Sequence, residues 1–338
     1  MPLLRVTGTI PRDQFWPTGS SDADTSKVTV EVGQNAFQYK LPGQGFRPTQ
    51  AFDKARIGGK PVITEKKRQL TIRLQGIDAP ELHYEAAPLP NTSTATAAQR
   101  KRYNELNQKF RQKLAETSTA ALGKFLGGVG TGSVACTVET QVNEPGDAFD
   151  KYGRFVGEIF VRIGNKKRSL NLWLLEQGWA YPLLYNSMTN DEIRAVTKAS
   201  TSGRKKQGRV WKPHLRNQVG RLDWKLLYRP PMQKPKADAA ADQGAVILPK
   251  LYRRLVEWEV KKKAKLASGN YRVFVLSKKD DKCFRTIEFV KEPHAATEHH
   301  IADFLTSDAR FQAGPEDIVF KESSSTLRDA SGKEITKW

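Results

Sequence analysis

Cysteine is nearly absent from this chain: Cys136 and Cys283 are the only two among 338 residues. That scarcity excludes a disulfide framework and a cysteine-based zinc site. Long apolar runs are missing too. No stretch reaches the roughly 18 consecutive apolar residues of a membrane-crossing helix, and the opening MPLLRVTGTIPRDQF lacks the apolar h-region of a signal peptide. The expectation is an intracellular, cytoplasmic protein with no membrane partner, or a secreted one whose leader has been removed. Acidic residues are the third deficit. Thirty-six Asp and Glu face 56 Lys and Arg, giving a formal net charge of +20 and a pI near 9.9. Such an excess attracts polyanions, chiefly nucleic acid, because each neutralised phosphate releases counterions. Residues 247–338 hold 18 basic and 14 acidic residues, so an excess of 16 lies in the preceding 246.

With 38% hydrophobic residues and seven Trp, the chain has material for real cores, and its length suits one large or two smaller domains. The most informative stretch is Leu70–Glu81, LTIRLQGIDAPE. Leu70, Ile72 and Leu74 alternate with Thr71, Arg73 and Gln75, the period of a strand with one buried face. Gly76 breaks the run and Pro80 prevents a further ladder strand. Arg73, Asp78 and Glu81 are thus delivered at or just past a strand end, where a guanidinium and two carboxylates can bind a metal ion and a phosphate together.

Two other stretches fit that chemistry. Asp22-Ala23-Asp24-Thr25 precedes alternating Val28, Val30 and Val32, and Asp150-Lys151-Tyr152-Gly153-Arg154 opens a strand over Phe155–Val161. A fourth block, LNLWLLEQGWA over Leu170–Ala180, reads as a helix with a Gln-Gly end. In this order the four blocks resemble the staphylococcal-nuclease (thermonuclease) family across roughly residues 5–212.

The resemblance implies an α+β chain whose N-terminal part is a five-stranded OB-type Greek-key β-barrel with three helices. It also implies a calcium-dependent endonuclease acting on DNA and/or RNA with low sequence specificity and a preference for single strands. One Ca²⁺ ion would be held by Asp24, Asp78 and the carbonyl of Ala79, where the family often has Thr, with Asp22 as an outer carboxylate. Arg73 and Arg154 would neutralise charge on the phosphate, which a guanidinium can grip with two parallel bonds. Glu81 would orient or deprotonate the attacking water. Lys151 and Tyr152 would hold the substrate. Tyr181 and Tyr185 lie near a nucleotide-contacting tyrosine of the family but one residue out of register, and are left out of the site. The competing expectation is a non-catalytic nucleic-acid-binding or scaffold protein on the same barrel; the retention of Asp24, Arg73, Asp78, Glu81 and Arg154 favours the enzyme.

Elsewhere, Gln34–Lys66 and Leu82–Thr96 read as insertions, the first an extended hairpin or solvated flap rich in Gly and Pro. A basic amphipathic helix runs from Ala97 through Tyr103, Leu106, Phe110 and Leu114 to Leu126, where Gly127-Gly128 ends it. The Gly-rich run that follows is a turn, with no Lys-Ser/Thr for a phosphate loop. Asn171 caps a short helix, and Thr189 with Glu192 forms a capping box for another. The domain expectation is a barrel at 1–215, an arm and linker at 216–246, and a small α+β domain at 247–338 that binds substrate, a protein partner or another copy of the chain. Within it a helix spans Leu248–Leu266, strands Tyr271–Leu276 and Cys283–Val290, a helix Ala296–Leu305, and a hairpin Ile318–Ile335. His83 beside the site, and His294, Glu298, His299 and His300, read as incidental surface residues.

Overall fold

The computed structural model describes the chain except residues 129, 215–221, 231–246, 308–309 and 323–324, and the side chains of 213 and 214. Alternation builds the barrel. Strand β1 (Leu3–Pro11) buries Leu4, Val6 and Ile10, β2 (Thr25–Val30) buries Val28 and Val30, and β3 (Gln69–Leu74) buries Leu70, Ile72 and Leu74. Strands β4 (Ser133–Gln141) and β5 (Phe155–Ile163) supply Val138, Phe155, Ile159 and Val161. Each such side chain contributes about 1.5–3 kcal/mol by leaving water.

Strand β1 pairs antiparallel with β2 (Gly8 opposite Val30) and with β4 (Val6 opposite Val138). Strand β2 pairs antiparallel with β3 (Val28 opposite Leu70), β3 runs parallel to β5 (Ile72 opposite Phe155), and β5 returns antiparallel to β4. The ring β1-β2-β3-β5-β4 is therefore closed, the five-stranded OB-type order, and it has no open edge. The expected second strand is displaced: Val32 lies past its end and is 85% exposed.

The helix expected from Ala97 to Leu126 is two, α1 (Ala97–Leu106) and α2 (Ala115–Phe125). Asn107 ends α1 by bonding both the amide and the carbonyl of Ala86 through its side chain, and Phe110 pairs its backbone with Tyr84. Buried Phe110 serves a second core here, so the apolar recurrence spans two elements. Helices α3 (Leu170–Glu176) and α4 (Asn190–Lys205) pack closely because Gly203 has no side chain: a Cβ there would lie 2.0 Å from the carbonyl oxygen of Leu175. The Thr189–Glu192 capping box opens α4. Ser169, not Asn171, caps α3; Asn171 is buried, accepting from the amide of Ile159 and donating to the carbonyls of Gln75 and Gly157. The insertion at 34–66 is no solvated flap, since Phe37, Phe52, Ala55 and Val62 enter the barrel core.

Helix α5 (Pro249–Lys263) matches its expected span closely, burying Leu251, Leu255, Val256 and Val260. Beyond it the expectations change. Tyr271–Leu276 is helix α6, capped by Asn270, because Tyr271, Phe274 and Val275 share one buried face. That helical spacing overrides the β-propensity of its Val and aromatic residues. Strand β6 (Lys282–Arg285) is short and gives way to helix α7 (Thr286–Lys291). The expected helix at 296–305 is a strand pair at His299–His300 and a 3₁₀ turn at Ile301–Phe304. The expected hairpin keeps its turn, where Arg328 pairs with Glu334, but β7 (Ile318–Phe320) pairs with β6 and, in parallel, with Leu184–Tyr185.

The regions before 215 and after 247 are thus sewn together. A second core joins Tyr103, Phe110, Tyr181 and Trp211 to α5, α6 and β7, while Leu327 joins the barrel core. The arm at Trp224–Tyr228 packs on residues 109–111, with Trp224 edge-on to Phe110. Apart from Pro230, the expected linker Pro230–Gly244 lies outside the described residues. Among the described residues no helix is long and apolar enough to cross a membrane.

Candidate active site

The barrel register gathers the separated motifs at one end. Arg73 lies opposite Thr25 on β2 and Val156 on β5, so Asp24 and Arg154, which precede those strands, flank it. Gly76 turns the chain out of β3 at φ 78°, and a Cβ on it would meet Val196 at 2.7 Å. Both the angle and the space demand glycine. The next residues, Ile77–Asp78, pair with Tyr181–Pro182, which fixes the carboxylate of Asp78 under the site.

The Asp22–Asp24 turn then pins the segment after Asp78. Asp24 accepts from the amide of Ala79 at 2.7 Å, and Asp22 accepts from the amide of Leu82 at 2.8 Å. The backbone of Glu81 is clamped between the side-chain oxygen and the amide of Gln112. Arg73 forks, one nitrogen on Asp24 and the other 2.8 Å from Asp78. Both of its partners are almost wholly buried.

Around them opens a cleft of about 740 Å³ lined by Asp22, Asp24, Arg73, Glu81, Lys151, Tyr152 and Arg154. Seven of the nine expected site residues meet there; Asp78 and Ala79 lie beneath its floor, fully buried. Arg154 is folded back onto Asp150, with contacts of 2.8 and 2.7 Å to one carboxylate oxygen, while Asp150 also caps the backbone of Tyr152 and Arg154. Tyr152 is 73% exposed, and both Lys151 and Arg154 lie over its ring, forming an aromatic and cationic ledge at the mouth. Lys151 reaches Asp280 across the opening at 3.4 Å.

Sequence reasoning missed the other wall, which comes from α5. Arg253 contacts Glu81 and bridges to Asp78, 3.3 Å from one oxygen and 3.4 Å from the other. The amide of Lys250 donates to Asp78 at 3.0 Å. The helix is held by Asp281, on which Arg254 forks at 2.7 and 2.9 Å and the Lys250 ammonium sits at 3.2 Å. Lys250, Arg253, Arg254 and Glu257 form a charged stripe at helical spacing, visible in the sequence, but nothing local says what it faces. Tyr185 also lines the cleft, whereas Tyr181 turns into the second core and donates to the carbonyl of Val210. His83 is tied to the Ser20 carbonyl and stacked edge-on against Tyr228.

The electrostatics follow from this crowding. Burial raises the carboxyl of Glu81 to about 8; Arg253 opposes the rise, and Asp22, Asp78 and Asp24 add to it. Burial and the neighbouring charge of Asp24 bring Asp22 to about 7. For Asp24, burial also favours the neutral acid, but Arg73 outweighs it and the carboxyl lies below its ordinary range. Burial pushes Tyr185 up to about 12.

A calcium ion wants six to eight oxygen ligands. A carboxylate offers about four lone-pair sites, and Asp78 already receives one bond from Arg73, two from Arg253 and one from the Lys250 amide. Asp24 carries Arg73 and the Ala79 amide, so Ala79 meets this cluster through its N–H rather than its carbonyl. In this arrangement the expected ligands do not fit the ion, and among the described residues no group of three or more acidic, His or Cys side chains is placed to hold one. His300 and Glu298 are likewise engaged elsewhere, His300 with the Lys278 carbonyl and Glu298 with Lys282 and Lys321.

Residues 71–213 match the model of the family described as Staphylococcal nuclease homologue, so this segment is similar to that family. The match begins inside β3, so Asp22 and Asp24 lie outside it and join the site through the pairing of β2 with β3. No curated protein matches the chain.

Proposed function

We propose, from the premise that the barrel is similar to the staphylococcal-nuclease family, that the cleft hydrolyses phosphodiester bonds of DNA and/or RNA as a low-specificity, metal-dependent endonuclease. The observation that carries this reading is the convergence in one cleft of Glu81, Arg73 and Arg154 with the ledge of Lys151 and Tyr152. A phosphodiester under attack gathers negative charge, which fixed cations in a water-poor site stabilise. Arg73 is fixed by its two carboxylates. Arg154, 31% exposed and resting on Asp150, is free to trade that partner for a phosphate oxygen at the mouth. Tyr152 offers a face for a base or sugar and Lys151 a charge for the next phosphate, an arrangement suited to an unpaired strand.

Glu81 is the base in this reading. A carboxyl raised to about 8 is well matched to accepting a proton near neutral pH. Its contact with Arg253 must loosen for it to do so. The expected calcium ion belongs to this proposal only as an exchange partner of Arg253, because the oxygens it needs are already accepting hydrogen bonds. The same contact favours a second reading, a barrel that binds nucleic acid without cutting it, since Arg253 neutralises Asp78 and Glu81. Denatured DNA incubated with the protein and calcium, with EDTA, and with Glu81→Gln separates the two. Calcium-dependent cutting lost in both controls supports the nuclease; binding without cutting, unchanged by the substitution, supports the second reading.

A further inference from the structure

Four acidic side chains are gathered at this site: Arg73 joins Asp24 to Asp78, Arg253 joins Asp78 to Glu81, and Asp22 accepts from the amide of Leu82, the residue after Glu81. Among the described residues of the barrel, Arg73 is the cation bonded to them, while Arg154 is engaged by Asp150. With all four ionised, a formal charge of −3 would therefore remain beside Arg73 alone, an excess that a further cation offsets. Arg253 changes that count. It comes from a helix more than 170 positions away in the chain and lays its guanidinium between Asp78 and Glu81.

We propose that Arg253 is a built-in counter-cation for the nuclease site, and that a divalent ion such as calcium and the seated Arg253 exclude one another at Asp78 and Glu81. The inference rests on the nuclease reading for its consequence, but its geometry stands apart from it. Seating fills the lone pairs of Asp78 and engages an oxygen of Glu81, so an ion cannot gain those oxygens while the guanidinium stays. Exchange needs only the Arg253 side chain to swing, since Asp281 holds the helix through Arg254 and Lys250. Fixing the helix also keeps Arg253 at a high local concentration, so the ion competes against an intramolecular ligand. Arg253 has somewhere to go: its side chain is 27% exposed and lines the same cleft that would receive a phosphate. A substrate phosphate entering beside Arg154 can take the guanidinium as it leaves the carboxylates. Ion and polyanion would then enter together, and the empty protein would hold neither tightly.

The test is calcium affinity by titration calorimetry on the full chain, compared with Arg253→Gln and Arg253→Lys. Lysine keeps the charge and protects the fold, but it lacks the fork that spans two carboxylates. Melting curves of all three accompany the titrations. A site whose competent form is populated about one part in a hundred binds about 100-fold more weakly than its intrinsic constant. Arg253→Gln should therefore tighten calcium by at least about 10-fold, with Arg253→Lys between it and the unmodified protein. Unchanged or weaker affinity in both variants overturns the proposal, and if the unmodified protein still cuts DNA with calcium, the nuclease reading survives that failure. Tightened binding in variants of a protein that never cuts upholds the exchange and removes the nuclease reading instead. Loss of cutting in Arg253→Gln with unchanged calcium affinity makes Arg253 a catalytic residue and overturns its role as a competitor.

Discussion

Raising the pH interrogates Glu81 without touching a residue. With its carboxyl at about 8, roughly one molecule in ten carries the ionised form at pH 7 and roughly nine in ten at pH 9. If this carboxylate takes the proton of the attacking water, the rate climbs about tenfold over those two units and then levels. The assay is the initial rate on a fluorescent single-stranded oligonucleotide at constant ionic strength and fixed calcium. Stability must move the other way. Glu81 and Asp22 bind protons more tightly in the folded chain than their ordinary values of 4.5 and 3.8 allow, because burial disfavours the charged form. Their contribution is complete below those values and is lost as pH rises through about 7 and 8, at no more than about 1.4 kcal/mol per pH unit for each group. Asp281 has the opposite sign. Burial works against its charge, but Arg254 and Lys250 hold it down to about 2, so its contribution is present above 3.8 and lost as pH falls toward 2. A flat rate profile between pH 6 and 9, or one half-complete near pH 4.5, would refute the assignment of Glu81 as the base.

Three substitutions test other parts of the argument. Arg154→Ala should cut the cleavage rate at least about 100-fold while moving stability by less than about 1 kcal/mol, as suits a part-exposed ion pair; denaturant melts and single-turnover rates measure both. Asn171→Ala strips three buried hydrogen bonds that tie β5 to the turn before Gly76, and should cost about 3 kcal/mol in urea denaturation. Gly203→Ala drives a methyl into the Leu175 carbonyl and should lower stability by about 3 kcal/mol, whereas Ser202→Ala, on the exposed side of the same helix, should stay within about 0.5 kcal/mol.

The sequence showed the barrel because its strands alternate strictly and its turns carry the punctuation that the backbone demands. Leu70, Ile72 and Leu74, then Gly76, needed no tertiary information. The site motifs were legible for the same reason, being tied to strand ends: Asp24 before β2, Asp78 after β3, Arg154 before β5. Reading failed where the deciding contacts are distant. Phe110 fits a helical stripe until Tyr84 and Leu227 claim its backbone. Tyr271–Leu276 carries β-formers at helical spacing, and a core shared with α5 decides between the two signals. Asn171 looked like a cap, yet its amide is consumed by β5 and the turn after β3. Arg253 was out of reach altogether. Its spacing in α5 says only that it shares a stripe with Lys250 and Arg254, and its own partners, Asp78 and Glu81, lie 175 and 172 positions earlier in the chain.

The distance along the chain between Asp78 and Arg253, 175 residues, also sets a delay. Synthesis delivers about 5–20 residues each second, so roughly 10–35 s separate the emergence of the acidic turn from that of the arginine that neutralises it. During that interval Arg73 is the one guanidinium available to Asp78, and the second arrives only with helix α5. The order of synthesis thus makes Arg253 the last-made of the residues bonded to these carboxylates, after Arg73 by 180 positions and after Lys250 by three.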